Sequence, residues 1–259
     1  MKKPLFSIIT CTYNTAKFVG KNIESTKAQT LNDFEHIFID GYSSDGTISL
    51  LQKYREQLPG KVVIIKQKPK GISKAMNLGA KKARGEIIIH LHSDDFFYDK
   101  NVLKYISNKF SKDSDLDWVY GKSNIVEEDG QRVGVFPSRI VFQIPTSFLL
   151  KVFNYIPHQT VFIKKAVFEK YGYFDEKLRS QMDWDMWLRI SKKTKWEFVD
   201  RLICGYTLRK GAQSSGIKNR EANKKNNLRV AIKHLNFIEM IPYRLFRVFI
   251  NKYNKTHRY

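Results

Sequence analysis

Between Leu5 and Leu91 the chain alternates short β-branched apolar runs with amphipathic stretches, and that alternation leaves few folds open. Leu5–Thr10, Phe34–Ile39, Lys61–Gln67 and Glu86–Leu91 read as buried strands. Phe18–Thr30, Thr47–Gln57 and Ile72–Ala83 read as the helices between them. The series predicts an α/β fold with a mostly parallel central sheet covered on both faces. Ligands bind such sheets beyond the carboxyl ends of the strands. Polar clusters at Thr12–Thr15, Asp40–Asp45 and Ser93–Asp95 each follow a strand, so they should gather along one edge.

Beyond Gly121 the pattern is less regular. Trp118–Tyr120 and Thr160–Ile163 read as strands, and Glu127–Gly130 as a hairpin turn. Ala166–Tyr171, stopped by Gly172, and Asp183–Lys192 read as helices. A boundary near Gly121 divides the chain into 1–121, 122–216 and a tail, 217–259. With 259 residues, 42% of them apolar, the chain can bury a substantial core. Two cysteines, Cys11 and Cys204, make no disulfide framework, which points to a reducing cytoplasm. No secretory signal and no run long enough to span a bilayer are visible.

Charge is the other constraint. There are 46 Lys and Arg against 25 Asp and Glu, a net of +21, so an anionic partner is expected. From Ile217 to Tyr259 eleven basic residues face Glu221 and Glu239, a net of +9. Ile241, Leu245, Val248 and Phe249 recur there at helical spacing, with Arg244, Arg247 and Asn251 on another side. Such a helix either lies on an anionic membrane surface or packs on the domain with its basic face solvated. Val141–Pro157 is a second apolar stretch, either core or a surface beside a lipid-linked substrate.

Three acidic clusters can carry chemistry. Asp94 and Asp95, adjacent at a strand end, can hold a hard divalent cation, or can begin the next helix. Asp40 and Asp45 can accept hydrogen bonds from a nucleobase or ribose, or simply shape a turn. Asp183 and Asp185 stand two apart and cannot share a helix face, so one can enter a cleft as a general base while the other pairs with a basic neighbour. Dinucleotide, P-loop, serine-nucleophile and zinc-protease motifs are absent from the sequence. Carboxylates at the strand ends would repel nucleic-acid phosphates, which argues against nucleic acid as the partner.

The ordered series Phe6–Asn14, Ile39–Thr47, Lys70–Gly79, Ala83–Glu86 and His90–Asp95 resembles family 2 glycosyltransferases of the GT-A fold. Val119–Gly121, Pro157–Gln159, Asp183–Asp185 and Tyr206–Gly211 continue it, and the likeness is nearest to the colanic-acid type of bacterial polysaccharide enzyme. The resemblance implies inverting transfer of a sugar from a nucleotide donor, usually a UDP-sugar, to a hydroxyl of a glycan or lipid-linked glycan. It makes 1–121 the nucleotide-sugar half and 122–216 the acceptor and catalytic half. Thr12 and Asp40 would meet the nucleoside, Asp94 the ribose, and Asp95 a Mg²⁺ or Mn²⁺ at the diphosphate. Asp183 would take the acceptor proton. His158, Arg209 and Lys210 would line the acceptor or diphosphate side, Arg209 on the donor. The implied setting is cytoplasmic, peripheral on the inner face of the membrane. The alternative is a relative of the same fold that binds sugar nucleotides, or a synthase, without turnover. Three departures stand out: Lys68-Pro69 where an acidic residue is usual, His92 where Asn is frequent, and Gly41 where a second Asp is frequent.

Overall fold

A computed structural model describes residues 3–138, 145–209 and 217–256. Strands β1 (Phe6–Thr12), β2 (Phe34–Asp40), β3 (Val62–Lys66) and β4 (Ile87–His90) form a parallel array in the order β3-β2-β1-β4. Phe6 stands opposite Phe34 on one side and Ile87 on the other. Helices α1 (Val19–Lys27), α2 (Thr47–Gln57) and α3 (Ile72–Lys82) fill the connections. Successive residues of β2 serve opposite faces, as a pleated strand requires. Phe38 packs with Val19, Ile23 and Leu51 of α1 and α2, whereas Ile37 and Ile39 pack with Met76 and Ala80 of α3. Every residue of β2 is therefore buried, including Glu35, His36 and Asp40. Glu35 is neutralised by Arg84 at 2.8 Å, and Ser7 and the Arg84 amide also donate to it.

The sheet continues through the second half in the order β4-β8-β6-β9-β5, with β7 on β6. Here β5 is Phe96–Phe97, β6 Trp118–Glu127, β7 Arg132–Phe136, β8 Phe162–Lys164 and β9 Trp196–Leu208. The β6–β7 hairpin turns at Glu127–Gly130, where the sequence placed it. Strand β8 is antiparallel to β4 and β6, β9 is parallel to β6, and β5 is antiparallel to β9. Helices α4 (Val102–Lys112), α5 (Ser147–Val152), α6 (Lys165–Tyr171) and α7 (Met182–Ile190) cover this half. Gly121, the expected boundary, lies inside β6 where its register with β9 shifts. One sheet thus runs through both halves, and one core cluster joins Ile9 and Met76 to Trp118, Leu150 and Met186.

The tail forms α8 (Ile217–His234) and α9 (Phe237–Thr256). Val230, Ala231, Leu235 and Tyr243 are buried with Leu178 and Trp184. The apolar side predicted for α9 is not the side that packs. Tyr243 stacks on Trp184 and Phe246 meets Phe153, whereas Ile241, Leu245 and Val248 are exposed. Phe249 and Asn251 lie outside the described side chains. In the apolar stretch before Pro157, of which 145–157 are described, Leu150, Tyr155 and Ile156 are core and Phe148 is exposed. Among the described residues no helix is long and apolar enough to cross a membrane.

Candidate active site

The loops after β1 and β2 are laced together before any ligand is considered. Thr12 donates to Asp40 Oδ1 at 2.9 Å, and Ser43 donates to the same carboxylate through its hydroxyl, 2.6 Å, and its amide, 2.9 Å. Asn14 donates its amide to Ser43 Oγ and accepts from the Ser44 amide, each at 2.9 Å. Asp45 accepts from Ala16 and Thr47, which fixes the start of α2 behind Gly46 at φ 94°. A left-handed residue there is cheap only for glycine. Thr12 and Asp40 are both buried, so the edge they form presents an ordered backbone rather than a free carboxylate.

Asp94 and Asp95 follow β4 and are gripped by the end of β9. Thr207 donates its hydroxyl to the Asp94 carbonyl at 2.6 Å and its amide to Asp95 Oδ1 at 3.3 Å. Arg209 Nε lies 2.6 Å from Asp94 Oδ2, and its guanidinium sits 5.2 Å from the ring centre of Phe18. That contact joins the β1 loop to the Asp94 loop. Asn22 of α1 holds the segment from behind, donating to the carbonyls of His92 and Asp95. Gly205 makes the fit possible: a Cβ there would lie 2.1 Å from Phe96 Cζ.

Asp95 is wholly buried and its Oδ2 has no partner. Burial, followed by the charge of Asp94, pushes its carboxyl well above the usual carboxylate range. An uncompensated buried carboxylate beside a second one is a site short of positive charge. Mg²⁺ and Mn²⁺ favour oxygen donors, and Mg²⁺ commonly takes one or two carboxylates with the rest of its shell from water and substrate phosphates. Among the described residues no three metal-ligating side chains converge. The residues present fit such a cation through Asp95, with Asp94 beside it.

Asp183 stands in the first turn of α7, which begins after Gln181 in a left-handed conformation at φ 65°. Its Oδ1 accepts from the Trp184 amide at 2.8 Å and its Oδ2 from Asn154 Nδ2 at 3.0 Å. Burial raises its carboxyl above the ordinary value despite these two donors. Asp185 faces elsewhere. It is fully buried and meets Arg189, Lys233 and His234 at 2.8, 2.7 and 2.8 Å. The two acids two residues apart diverge: Asp183 meets Asn154 and the Trp184 amide, and Asp185 enters an ionic hub beneath the tail.

His92 connects the two acidic regions. Burial lowers its affinity for a proton, while Asp94 and Asp183 both raise it. His158, in a 3-10 turn at His158–Thr160, lies 5.4 Å from His92 and 5.7 Å from His90, ring centre to ring centre. Neither of its nitrogens has a partner, and burial holds it neutral. The structure thus brings Asp94, Asp95 and Arg209 together, sets Asp183 in the field of His92, and pairs Thr12 with Asp40 along the same sheet edge. Lys210 lies outside the described residues. Asn154, Thr207, Asn22 and Phe18 were not among the expected residues; they act through neighbours 29 to 191 positions away, which spacing does not reveal.

The match of residues 7–172 to the glycosyl transferase family 2 model decides the assignment. The chain belongs to glycosyl transferase family 2. It is 27% identical to the chondroitin synthase of Escherichia coli over 241 residues, 93% of this chain but only 34% of that one, so it spans about a third of that relative. It is 28% identical over 190 residues to the PGL/p-HBAD biosynthesis glycosyltransferase of Mycobacterium bovis, covering 73% and 70% of the two chains. Its fold resembles S. aureus TarS 1–349 in complex with UDP-GlcNAc, with TM-score 0.67, 21% identity, and 98% and 73% of the chains covered. The mannosyltransferase PcManGT from Pyrobaculum calidifontis, in complex with GDP-Man and Mn²⁺, gives 0.71 at 16% identity over 96% and 70%. The architecture is GT-A, a mixed α/β fold with a mostly parallel sheet, as the sequence predicts.

Proposed function

We propose that this family 2 glycosyltransferase is an inverting enzyme that moves a sugar from a UDP-sugar to a hydroxyl of a lipid-linked glycan, as in surface polysaccharide synthesis of the colanic-acid type. The observation that carries the reading is the clasped acidic pair after β4, where Arg209 holds Asp94 and the buried Asp95 Oδ2 has no partner. Asp183, in the first turn of α7, shares with Asp94 an electrostatic effect on His92. UDP-GlcNAc in the TarS complex and GDP-Man with Mn²⁺ in PcManGT support a nucleotide-sugar donor and a divalent cation.

In this reading residues 1–121 hold the donor and 122–216 the acceptor. Thr12 and Asp40 shape the nucleoside edge, Asp94 meets the ribose, and Arg209 reaches the donor diphosphate. His158 and Lys210 line the acceptor or diphosphate side. Asp95 would hold Mg²⁺ or Mn²⁺, which when bound supplies positive charge against the departing diphosphate. Asp183 accepts the proton of the attacking hydroxyl. The new bond forms from that oxygen to the anomeric carbon while the bond to phosphate oxygen breaks and its electron pair leaves with the nucleotide. A single displacement from the opposite face inverts the centre. The raised basicity of half-buried Asp183 suits it to the task, because a base works best with a pKa near the working pH.

Release of UDP or another nucleotide from a panel of sugar nucleotides, with Mn²⁺ or with EDTA, tests the proposal. Turnover that needs the cation and falls by orders of magnitude in Asp183→Asn is the expected result. Nucleotide binding without turnover on any acceptor would overturn it in favour of a non-catalytic binding protein. The enzyme would work in the cytoplasm, against the anionic inner leaflet.

A further inference from the structure

The exposed side of the tail carries apolar surface that the fold has no use for. Phe237, Ile238, Ile241, Leu245 and Val248 are 83%, 74%, 50%, 67% and 67% exposed. Their successive spacings of one, three, four and three residues place them along one stripe of α9. The opposite side of α9 is already engaged: Tyr243 on Trp184, Phe246 on Phe153, and Glu239 paired with Lys151. The stripe is therefore not a core face left loose. It is a second apolar face on a helix already docked by its first.

Helix α8 adds exposed Leu228 and Ile232. These two line an open hollow of about 550 Å³ together with Lys177, Arg179, Lys225 and Arg229. Four cations beside two aliphatic side chains form a surface for a group that is anionic at one end and greasy at the other. Arg244 is exposed on α9 itself, and the tail as a whole is +9.

We infer that the Phe237–Val248 stripe of α9 and the basic hollow on α8 are one docking surface for an anionic phospholipid leaflet. The inference rests on the proposal of a lipid-linked acceptor and specifies which face meets the lipid. Apolar residues would enter the boundary between headgroups and acyl chains, while the α8 cations sit among lipid phosphates. Charge complementarity favours this occupant over a second copy, since two copies would each bring the same excess of positive charge to the contact. The consequence reaches the active site through short links. Lys233 and His234 of α8 hold Asp185, and Tyr243 of α9 stacks on Trp184, so the docked helices flank the residue that follows Asp183.

The test is flotation of the full chain with vesicles of phosphatidylcholine alone or with about one third phosphatidylglycerol. Two variants are compared with the wild type: Leu245→Ser with Val248→Ser, and Lys224→Gln, Lys225→Gln with Arg229→Gln. All five residues are exposed. The wild type should float with the anionic vesicles and at least roughly tenfold less with neutral ones, and each variant should weaken binding by roughly 100-fold. Absence of wild-type flotation, or equal flotation of all three proteins, would overturn the inference. So would self-association that the serine variant abolishes and anionic vesicles do not compete with. Nucleotide release measured without lipid should be the same in all three, and its failure would count against the transfer reading alone.

Discussion

Two carboxylates in the first turn of one short helix, Asp183 and Asp185, should respond to the same substitution in opposite ways. Asp185→Asn leaves Lys233, His234 and Arg189 gathered around a neutral amide, two of whose hydrogens now face donors. Breaking one member of a buried ionic cluster costs about 3 to 5 kcal/mol, and the near-isosteric amide belongs at the low end. At about 2–4 °C per kcal/mol for a chain of this size, the Tm should fall by roughly 6–12 °C. Burial alone would raise the Asp185 carboxyl, but His234, Lys233 and Arg189 outweigh it and hold it well below the ordinary range. A depressed carboxyl stabilises the fold above its unfolded pKa and loses that contribution as pH falls toward the folded value. The gap between wild type and Asp185→Asn should therefore be constant near neutrality and narrow only in acid. Asp183→Asn works the other way. Its carboxyl is raised by burial, so ionisation opposes folding as pH rises through the folded value, and a neutral amide relieves that cost. The unpartnered Oδ1 of Asn154 can turn to accept from the new amide. Its Tm should equal or slightly exceed wild type, while kcat falls about 10²- to 10⁴-fold. Thermal melts across pH and nucleotide release on the same preparations decide it. A stable Asp185→Asn, or an Asp183→Asn that melts early or turns over normally, would refute the division of labour.

Mn²⁺ with a donor nucleotide should raise the wild-type Tm, and Asp95→Asn should abolish that rise while melting no lower without metal; differential scanning fluorimetry reads both. Thr12→Val removes one donor to Asp40 and should raise the donor KM several-fold with little change in kcat, at a cost of about 1 kcal/mol. A Cβ at residue 205 would clash with the Phe96 ring, so Gly205→Ala should destabilise by about 1–3 kcal/mol and weaken metal-dependent turnover, measured by urea melts and nucleotide release.

The first four strands were legible because each is an apolar run rich in β-branched residues bounded by turn residues, with β1, β2 and β4 buried on both sides and β3 at the sheet edge. The observed ends of α2, Thr47 and Gln57, are those the sequence predicts. Strand β8 begins two residues later than expected because Thr160 turns its hydroxyl to the carbonyls of Gly121 and Pro157. Helix α4 carries a readable spacing in Val102, Leu103, Ile106 and Phe110, yet it follows the last strand of the regular alternation and drew no assignment. Strand β9 was hidden for a different reason. Asp200-Arg201 interrupts the apolar pattern of this 13-residue strand where its register with β6 shifts. Acidic positions at strand ends could be named from the sequence; the side chains that aim them, such as Asn154 and Thr207, could not, because only the folded sheet brings them near.

The grip of β9 on Asp94 and Asp95 bears on how the molecule can be divided. Thr207 and Arg209 come from the far end of the sheet in sequence, yet they are what steadies the acidic pair after β4. A fragment ending at Gly121 would keep the parallel strands and lose that clasp together with the neighbours of β6. The shape of the acidic pair is a property of the uncut polypeptide, and any scheme that swaps the amino-terminal portion between relatives must carry the matching Trp196–Arg209 segment along with it.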